Sequence, residues 1–220
     1  MTTTVITGAN RGIGLALTSL CAARGHQVFA LCRKSTPALT SLQVEVIEDI
    51  DVADAESPNK VSQALSGRSI DCLINNAGIR RNETLGSLDF DSIDAQWQVN
   101  ALGPLRLTEA LLPQMTRPSK IAFITSRMGS MRDNASGGYY GYRMSKAALN
   151  AAAVSLARDL QPRDVYVAIL HPGLVGTEMI GGHGDITPEI AAERLMQRID
   201  NLTAETSGTF LHSNGETLPW

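Results

Sequence analysis

Short apolar runs rich in β-branched residues alternate along this chain with longer stretches in which apolar positions recur every three or four residues. The first pattern predicts strands and the second helices. Strands are expected at residues 4–6, 27–31, 44–48, 70–74, 121–125 and 165–170, with a short last one near 209–211. Helices are expected at 13–24, 57–65, about 91–115, 140–160 and 188–201. The strands are apolar along their whole length, as in sheets buried on both faces. Strand–helix alternation then predicts a doubly wound α/β fold, a mostly parallel sheet with helices on both faces. No linker, repeat or low-complexity tract interrupts the pattern, so residues 1–220 are expected to form one domain. Ligands in such sheets bind beyond the carboxyl ends of the strands, so residues that carry chemistry should follow strands.

Composition narrows the range of partners. The net charge is −3 and Lys and Arg are scattered, so no basic field is offered to nucleic acid or an anionic membrane. No apolar run reaches the length of a membrane span, and the N-terminus lacks the basic and apolar regions of a secretory signal. Cys21, Cys32 and Cys72 sit in apolar segments at no metal-ligand spacing. They read as buried reduced thiols, which fits a cytoplasmic location and no metal.

The first strand runs into Thr7-Gly8-Ala9-Asn10-Arg11-Gly12-Ile13-Gly14 and then a helix. Glycine there permits a tight turn and close backbone approach to a pyrophosphate, which the helix N-terminus would attract. The G-x-x-x-G-x-G spacing gains its weight from lying between a strand and a helix. The second strand ends in Cys32-Arg33-Lys34, where an acidic residue would select NAD. A guanidinium at Arg33 instead suits a 2′-phosphate, which points to NADP, and Arg11 offers a second positive charge. The other reading is that these basic residues are solvated. Asp51, before Val52, either accepts a bond from an adenine amino group or caps a turn. The fourth strand ends in Asn75-Asn76-Ala77-Gly78, which suits a backbone lying against a ribose and equally a turn.

Tyr142 and Lys146 are four residues apart on one predicted helix face, so both can address one site. A neighbouring cation is expected to lower the phenol's pKa. Ser126 follows the fifth strand at the same sheet edge and can bond a substrate carbonyl, with Ser130 as its rival. Pro104 has no NH for the carbonyl of Asn100, so the long helix should kink there and leave that carbonyl for another partner, such as a water that relays protons to Lys146. Arg80 and Arg81 either meet an anionic substrate or are a solvated loop pair.

In order, TGANRGIG, Asp51-Val52, NNAG at 75–78, Asn100, Ser126, YRMSK at 142–146 and Pro172-Gly173 resemble the short-chain dehydrogenase/reductase family over almost the whole chain. SRMGS at 126–130, YYGYRMSKAALN at 139–150 and the ending GETLPW resemble its C-factor and sniffer-like carbonyl reductases. The resemblance implies a Rossmann-type fold and NADPH-dependent reduction of an aldehyde or ketone, reversibly the oxidation of an alcohol. It implies that Tyr142 is the general acid, Lys146 holds the nicotinamide ribose, Ser126 orients the carbonyl and Asn100 anchors a relay water. It implies an NADP site at Gly8, Asn10, Arg11, Gly12, Ile13, Gly14, Arg33, Asp51, Val52, Asn76, Ala77, Gly78, Tyr142, Lys146, Pro172, Gly173, Val175 and Thr177. It also implies a homodimer or homotetramer paired through the long helices, and the 218–220 end is expected to dock on a neighbour. Ser126 lies 16 residues before Tyr142, so an extra loop is expected at about 132–138. The alternatives are a non-catalytic dinucleotide-binding regulator, or an NAD-dependent alcohol dehydrogenase, against which the missing acid at Cys32 argues.

Overall fold

A computed structural model describes residues 1–220. Seven strands form one sheet: β1 (Thr3–Thr7), β2 (Gln27–Leu31), β3 (Glu45–Ile47), β4 (Ile70–Asn75), β5 (Met115–Ile124), β6 (Val165–His171) and β7 (Phe210–His212). Their order is β3-β2-β1-β4-β5-β6-β7, and every neighbouring pair is parallel. This is the doubly wound order with one strand added, and its switch point lies between β1 and β4. The helices are α1 (Gly12–Ala23), α2 (Pro37–Thr40), α3 (Ser57–Ala64), α4 (Phe90–Trp97), α5 (Gly103–Leu111), α6 (Tyr140–Leu160) and α7 (Pro188–Asp200).

The pleat divides each strand between two cores. Val5, Phe29 and Leu31 face a cluster completed by Val61 of α3, Leu107 and Leu111 of α5, and Leu149 and Ala153 of α6. Ile6, Val28 and Ala30 face the opposite cluster, with Leu17 and Cys21 of α1 and Leu195, Met196 and Ile199 of α7. The strands are apolar on both sides because both sides are covered.

Three expectations change. The helix expected over about 91–115 is α4, a π-helical turn at Gln98–Leu102, and α5. Within the turn, Gly103 N–H donates to the carbonyl of Gln98, five residues back. Pro104 supplies no NH to Asn100, and the helix absorbs that loss as a π-bulge instead of a simple kink. Strand β5 begins at Met115, well before 121; its first half carries exposed Arg117 and Pro118 and only Met115 of it reaches a core, so it shows no continuous apolar run. Helix α2 was unexpected, although Thr36 accepts from Leu39 N–H at 3.3 Å and Pro37 opens the helix, both ordinary start signals.

The C-terminal end packs on its own chain. Leu218 is buried and its N–H donates to the Phe210 carbonyl at 2.8 Å. The Trp220 ring stacks on Phe210 at 5.3 Å, and its carbonyl accepts from Arg132 N–H at 3.0 Å. Residues 131–137 form an exposed loop where the insertion was expected.

Candidate active site

The ends of β1 and β4 are stitched together. The Asn76 amide donates to the carbonyls of Thr7 (3.0 Å) and Gly8 (3.3 Å). The Thr7 hydroxyl accepts from the N–H groups of Asn76 and Ala77, both at 2.9 Å. A Cβ on Gly14 would collide with the Gly8 carbonyl and the Asn76 amide, so only glycine closes this turn. Asn10 donates to the Lys34 carbonyl at 2.9 Å and accepts from the Thr36 hydroxyl at 2.9 Å, tying the turn to the segment after β2.

Between these loops opens a cleft of about 730 Å³. Among the expected residues, Gly8, Asn10, Arg11, Gly12, Ile13, Gly14, Arg33, Asp51, Val52, Asn76, Ala77, Gly78, Tyr142, Lys146, Pro172 and Thr177 line it. Asn100, Ser126, Gly173 and Val175 are not among the residues that line it. Two features of this cleft fit a dinucleotide. Its size is within the usual range of ligand sites. Helix α1 starts in it with no side-chain cap and no acidic residue in its first turn, so its N–H groups are free for an anion. Cys32 is buried, whereas Arg33 is exposed and makes no ion pair. Arg11, by contrast, pairs with Glu178 across the mouth of the cleft. Asp51 accepts from Ala53 N–H at 3.0 Å, so it caps a turn while also facing the cleft.

At the other end, α6 presents Tyr142 and Lys146 on one face, with the Lys146 Nζ 5.9 Å from the centre of the Tyr142 ring. Both side chains are buried. Lys146 donates to the Ile124 carbonyl at the end of β5 at 2.9 Å. Ser126 follows that strand; its hydroxyl accepts from Met128 N–H at 3.1 Å and lies close enough to Tyr142 to favour the phenolate. Ser130 is occupied in a turn, accepting from Asp133 N–H at 3.1 Å. The side chain of Asn100 acts as a clamp. It accepts from Ile79 N–H at 2.9 Å, donates to the Ile79 carbonyl at 2.8 Å, and donates to Ser145 Oγ at 3.0 Å. Gly78 is thereby held beside Lys146, whose Nζ would be 3.7 Å from a Cβ at that position.

The expected lowering of the tyrosine pKa is not found. Burial raises the Tyr142 phenol above its ordinary value, against the opposing pull of the Ser126 hydroxyl and the Arg80 guanidinium. Burial also lowers Lys146 from 10.5 to about 8. Full burial disfavours both charged forms, and this outweighs what the two groups do for each other. His171, after the strand, is pushed down to about 3 by burial, with His212 and Arg127 adding to the effect, so it stays neutral.

Sequence reasoning left two residues without a role. Thr7 shows in the sequence only as part of the glycine turn, although its hydroxyl is the hinge of the stitch. Glu83 lay in an apparent loop with no motif around it. It proves to be buried and bonded to α4 and α6.

A family profile described as short chain dehydrogenase matches residues 2–185. The chain is 41% identical over 226 residues to 1-hydroxy-2-glutathionyl-2-methyl-3-butene dehydrogenase of Rhodococcus sp. (strain AD45), covering all of both. It is 42% identical to the C-signal protein of Myxococcus xanthus, covering 69% of this chain and 93% of that one. Among solved structures, NADPH-bound carbonyl reductase from chicken fatty liver superposes with a TM-score of 0.90 at 29% identity, covering 99% of this chain and 98% of that one.

The Lys146 environment makes a stability prediction. Between about pH 8 and 10 the unfolded chain holds a proton on this lysine that the folded chain has released. Folding stability attributable to Lys146 therefore rises with pH through that window, by up to about 3 kcal/mol. Lys146→Met has no such group. Its unfolding free energy, measured by urea titration without nucleotide, should fall relative to the wild type between pH 7 and 10. A constant difference across that range would contradict the prediction.

Proposed function

This chain belongs to the short-chain dehydrogenase family, and from that premise we propose that it is an NADPH-dependent carbonyl reductase, acting within one domain over residues 1–220. It reduces an aldehyde or ketone to the alcohol and runs in reverse as an alcohol dehydrogenase. The observation that carries this reading is the sharing of one face of α6 by Tyr142 and Lys146 at the wall of the cleft. When bound, the nicotinamide supplies the hydride, and the protein supplies position and the proton. Ser126 orients the carbonyl oxygen towards the Tyr142 hydroxyl. Tyr142 gives its proton to the alkoxide oxygen as the C–H bond forms. Lys146 holds the ribose and, with a value near 8, is the readier proton source to restore Tyr142. The raised phenol keeps Tyr142 protonated at neutral pH, which suits the acid of a reduction. Alcohol oxidation needs the phenolate and is favoured as pH rises.

The clamp made by Asn100 fixes the loop after β4 against α6 and so keeps Gly78 and Lys146 together. On this reading Gly8, Asn10, Gly12, Ile13, Gly14 and Thr177 receive the pyrophosphate and nicotinamide, and Asp51, Val52, Asn76, Ala77 and Gly78 the adenosine and ribose. Likeness to the C-signal protein supports the alternative of a non-catalytic regulator. A regulator has no use for a buried Tyr–Lys pair, and that pair favours catalysis.

Tyr142→Phe keeps the ring and deletes the acid, so kcat for carbonyl reduction should fall about 10²–10⁴-fold with folding and NADPH affinity nearly unchanged. Turnover at the wild-type rate would sink the mechanism. For the cofactor, exposed Arg33 beside Cys32 supports a 2′-phosphate contact. Wild-type protein should bind NADPH more tightly than NADH, and Arg33→Ala should narrow the gap by about 1–3 kcal/mol in fluorescence titrations. Equal affinities in the wild type would contradict this. Phe90 and Trp97 on α4 and Met144 on α6 leave apolar surface exposed, which supports a homodimer or homotetramer. Light scattering at micromolar concentration should give a multiple of the chain mass; a monomer mass is the contrary result.

A further inference from the structure

Helix α6 carries both reacting side chains, yet it begins without a side-chain cap of its own. Its N-cap residue, Tyr139, has φ of 52°, the left-handed region that residues other than glycine rarely adopt. The N–H groups of a first helical turn need acceptors from outside the helix. One comes from far along the chain: Gly141 N–H donates to Glu83 Oε2 at 3.0 Å. The other carboxylate oxygen accepts from Ser92 Oγ at 2.7 Å and from Gln96 Nε2 at 2.6 Å, both on α4. Gln96 in turn accepts from Arg81 N–H at 2.9 Å.

Glu83 is 2% exposed and makes no ion pair. A buried carboxylate without a cation is costly, and a surface loop gives no reason for one. Three donors and the positive end of α6 supply that reason. The packing leaves little slack. A Cβ on Gly141 would lie 2.6 Å from Gln96 Nε2 and 2.9 Å from the Ile93 backbone. Arg80, on the same loop, stacks over the Tyr139 ring at 4.5 Å and grips the helix start a second time. Tyr142 follows Gly141 directly. Lys146 is fixed by different contacts, its bond to the Ile124 carbonyl and the close passage of Gly129, whose Cβ would lie 2.8 Å from the Lys146 backbone.

We propose that Glu83 is the positioning residue for Tyr142, its carboxylate fixing the first turn of α6 so that the phenol stays beside Ser126. This rests on the reading of Tyr142 as proton donor. Because Lys146 is set from elsewhere, loss of Glu83 weakens proton delivery and spares nucleotide binding.

The test is a double-mutant cycle on one reducible carbonyl with NADPH, comparing wild type, Glu83→Ala, Tyr142→Phe and the double variant. Glu83→Ala should lower kcat by about 10- to 100-fold, as a misplacement on the scale of 1 Å does, and leave NADPH Kd within about 3-fold. In the Tyr142→Phe background the same change should cost nothing further, since a residue acting through the phenol has nothing left to position. Glu83→Gln keeps the volume but replaces one acceptor oxygen by a donor, and should fall between wild type and Glu83→Ala. It carries the same comparison if Glu83→Ala does not fold. Wild-type kcat in Glu83→Ala overturns the proposal, as does an undiminished loss in the Tyr142→Phe background or a matching loss of NADPH affinity. If Tyr142→Phe itself turns over at the wild-type rate, the acid reading fails and this proposal falls with it, a result separable from the others within the same set of proteins.

Discussion

The side-chain amide of Asn76, bonded to the carbonyls of Thr7 and Gly8, closes the two loops on which the rest of the cleft depends. β1 and β4 are neighbours in the sheet, but the chain leaves them for opposite faces. After β1 it enters α1, which packs on one core, and after β4 it reaches α5, which serves the other. Two loops departing in opposite directions leave a crevice between them. Their peptide groups would be unpaired there unless something joined them, and Asn76 and Thr7 do so with four hydrogen bonds. The closure brings the glycine turn so near that Gly14 has no room for a side chain, and it leaves the N–H groups of α1 facing the crevice.

The far end of the crevice obeys a different constraint. Tyr142 and Lys146 are within reach of each other and both buried, and burial pushes both towards their neutral forms. An ordinary tyrosine and an ordinary lysine have similar values. Here the phenol moves up and the ammonium down to about 8, so the lysine becomes the better acid of the two. On the proposed reading, that ordering favours proton movement from Lys146 towards Tyr142. The Ile124 carbonyl, the lysine's hydrogen-bond acceptor, costs no charge and leaves that ordering intact.

Much of this was legible from residue pattern alone. Six strands and four helices follow from continuous apolar runs and 3.6-residue spacing, because both sheet faces are covered and each helix has one buried stripe. Most of the residues expected at the cleft line it because the parallel topology brings every strand's carboxyl end to one edge. What escaped was set by contacts between distant segments. The π-bulge at Gln98–Leu102 follows from Pro104, but its form depends on Gly103 packing against the Val52 carbonyl. The first half of β5 is polar and looks like loop; pairing with β4 and β6 makes it a strand. The direction of the Tyr142 shift depends on burial, which spacing along a helix does not reveal.

Arg11 shows how such distant contacts alter a residue's meaning. Its position in the glycine turn reads as a cation for a phosphate, yet it is paired with Glu178, beyond β6. Both partners are largely exposed, at 62% and 78% of their side-chain surface. An exposed pair contributes little to stability, and water stands ready to replace either partner. A phosphate arriving at the cleft can therefore take Arg11 from Glu178 at small cost. Arg33 has no carboxylate to give up. On the proposed reading the two arginines thus divide the work. Arg33 is free to meet the nucleotide's anionic end, whereas Arg11 must first leave Glu178, which lines the same cleft as Thr177.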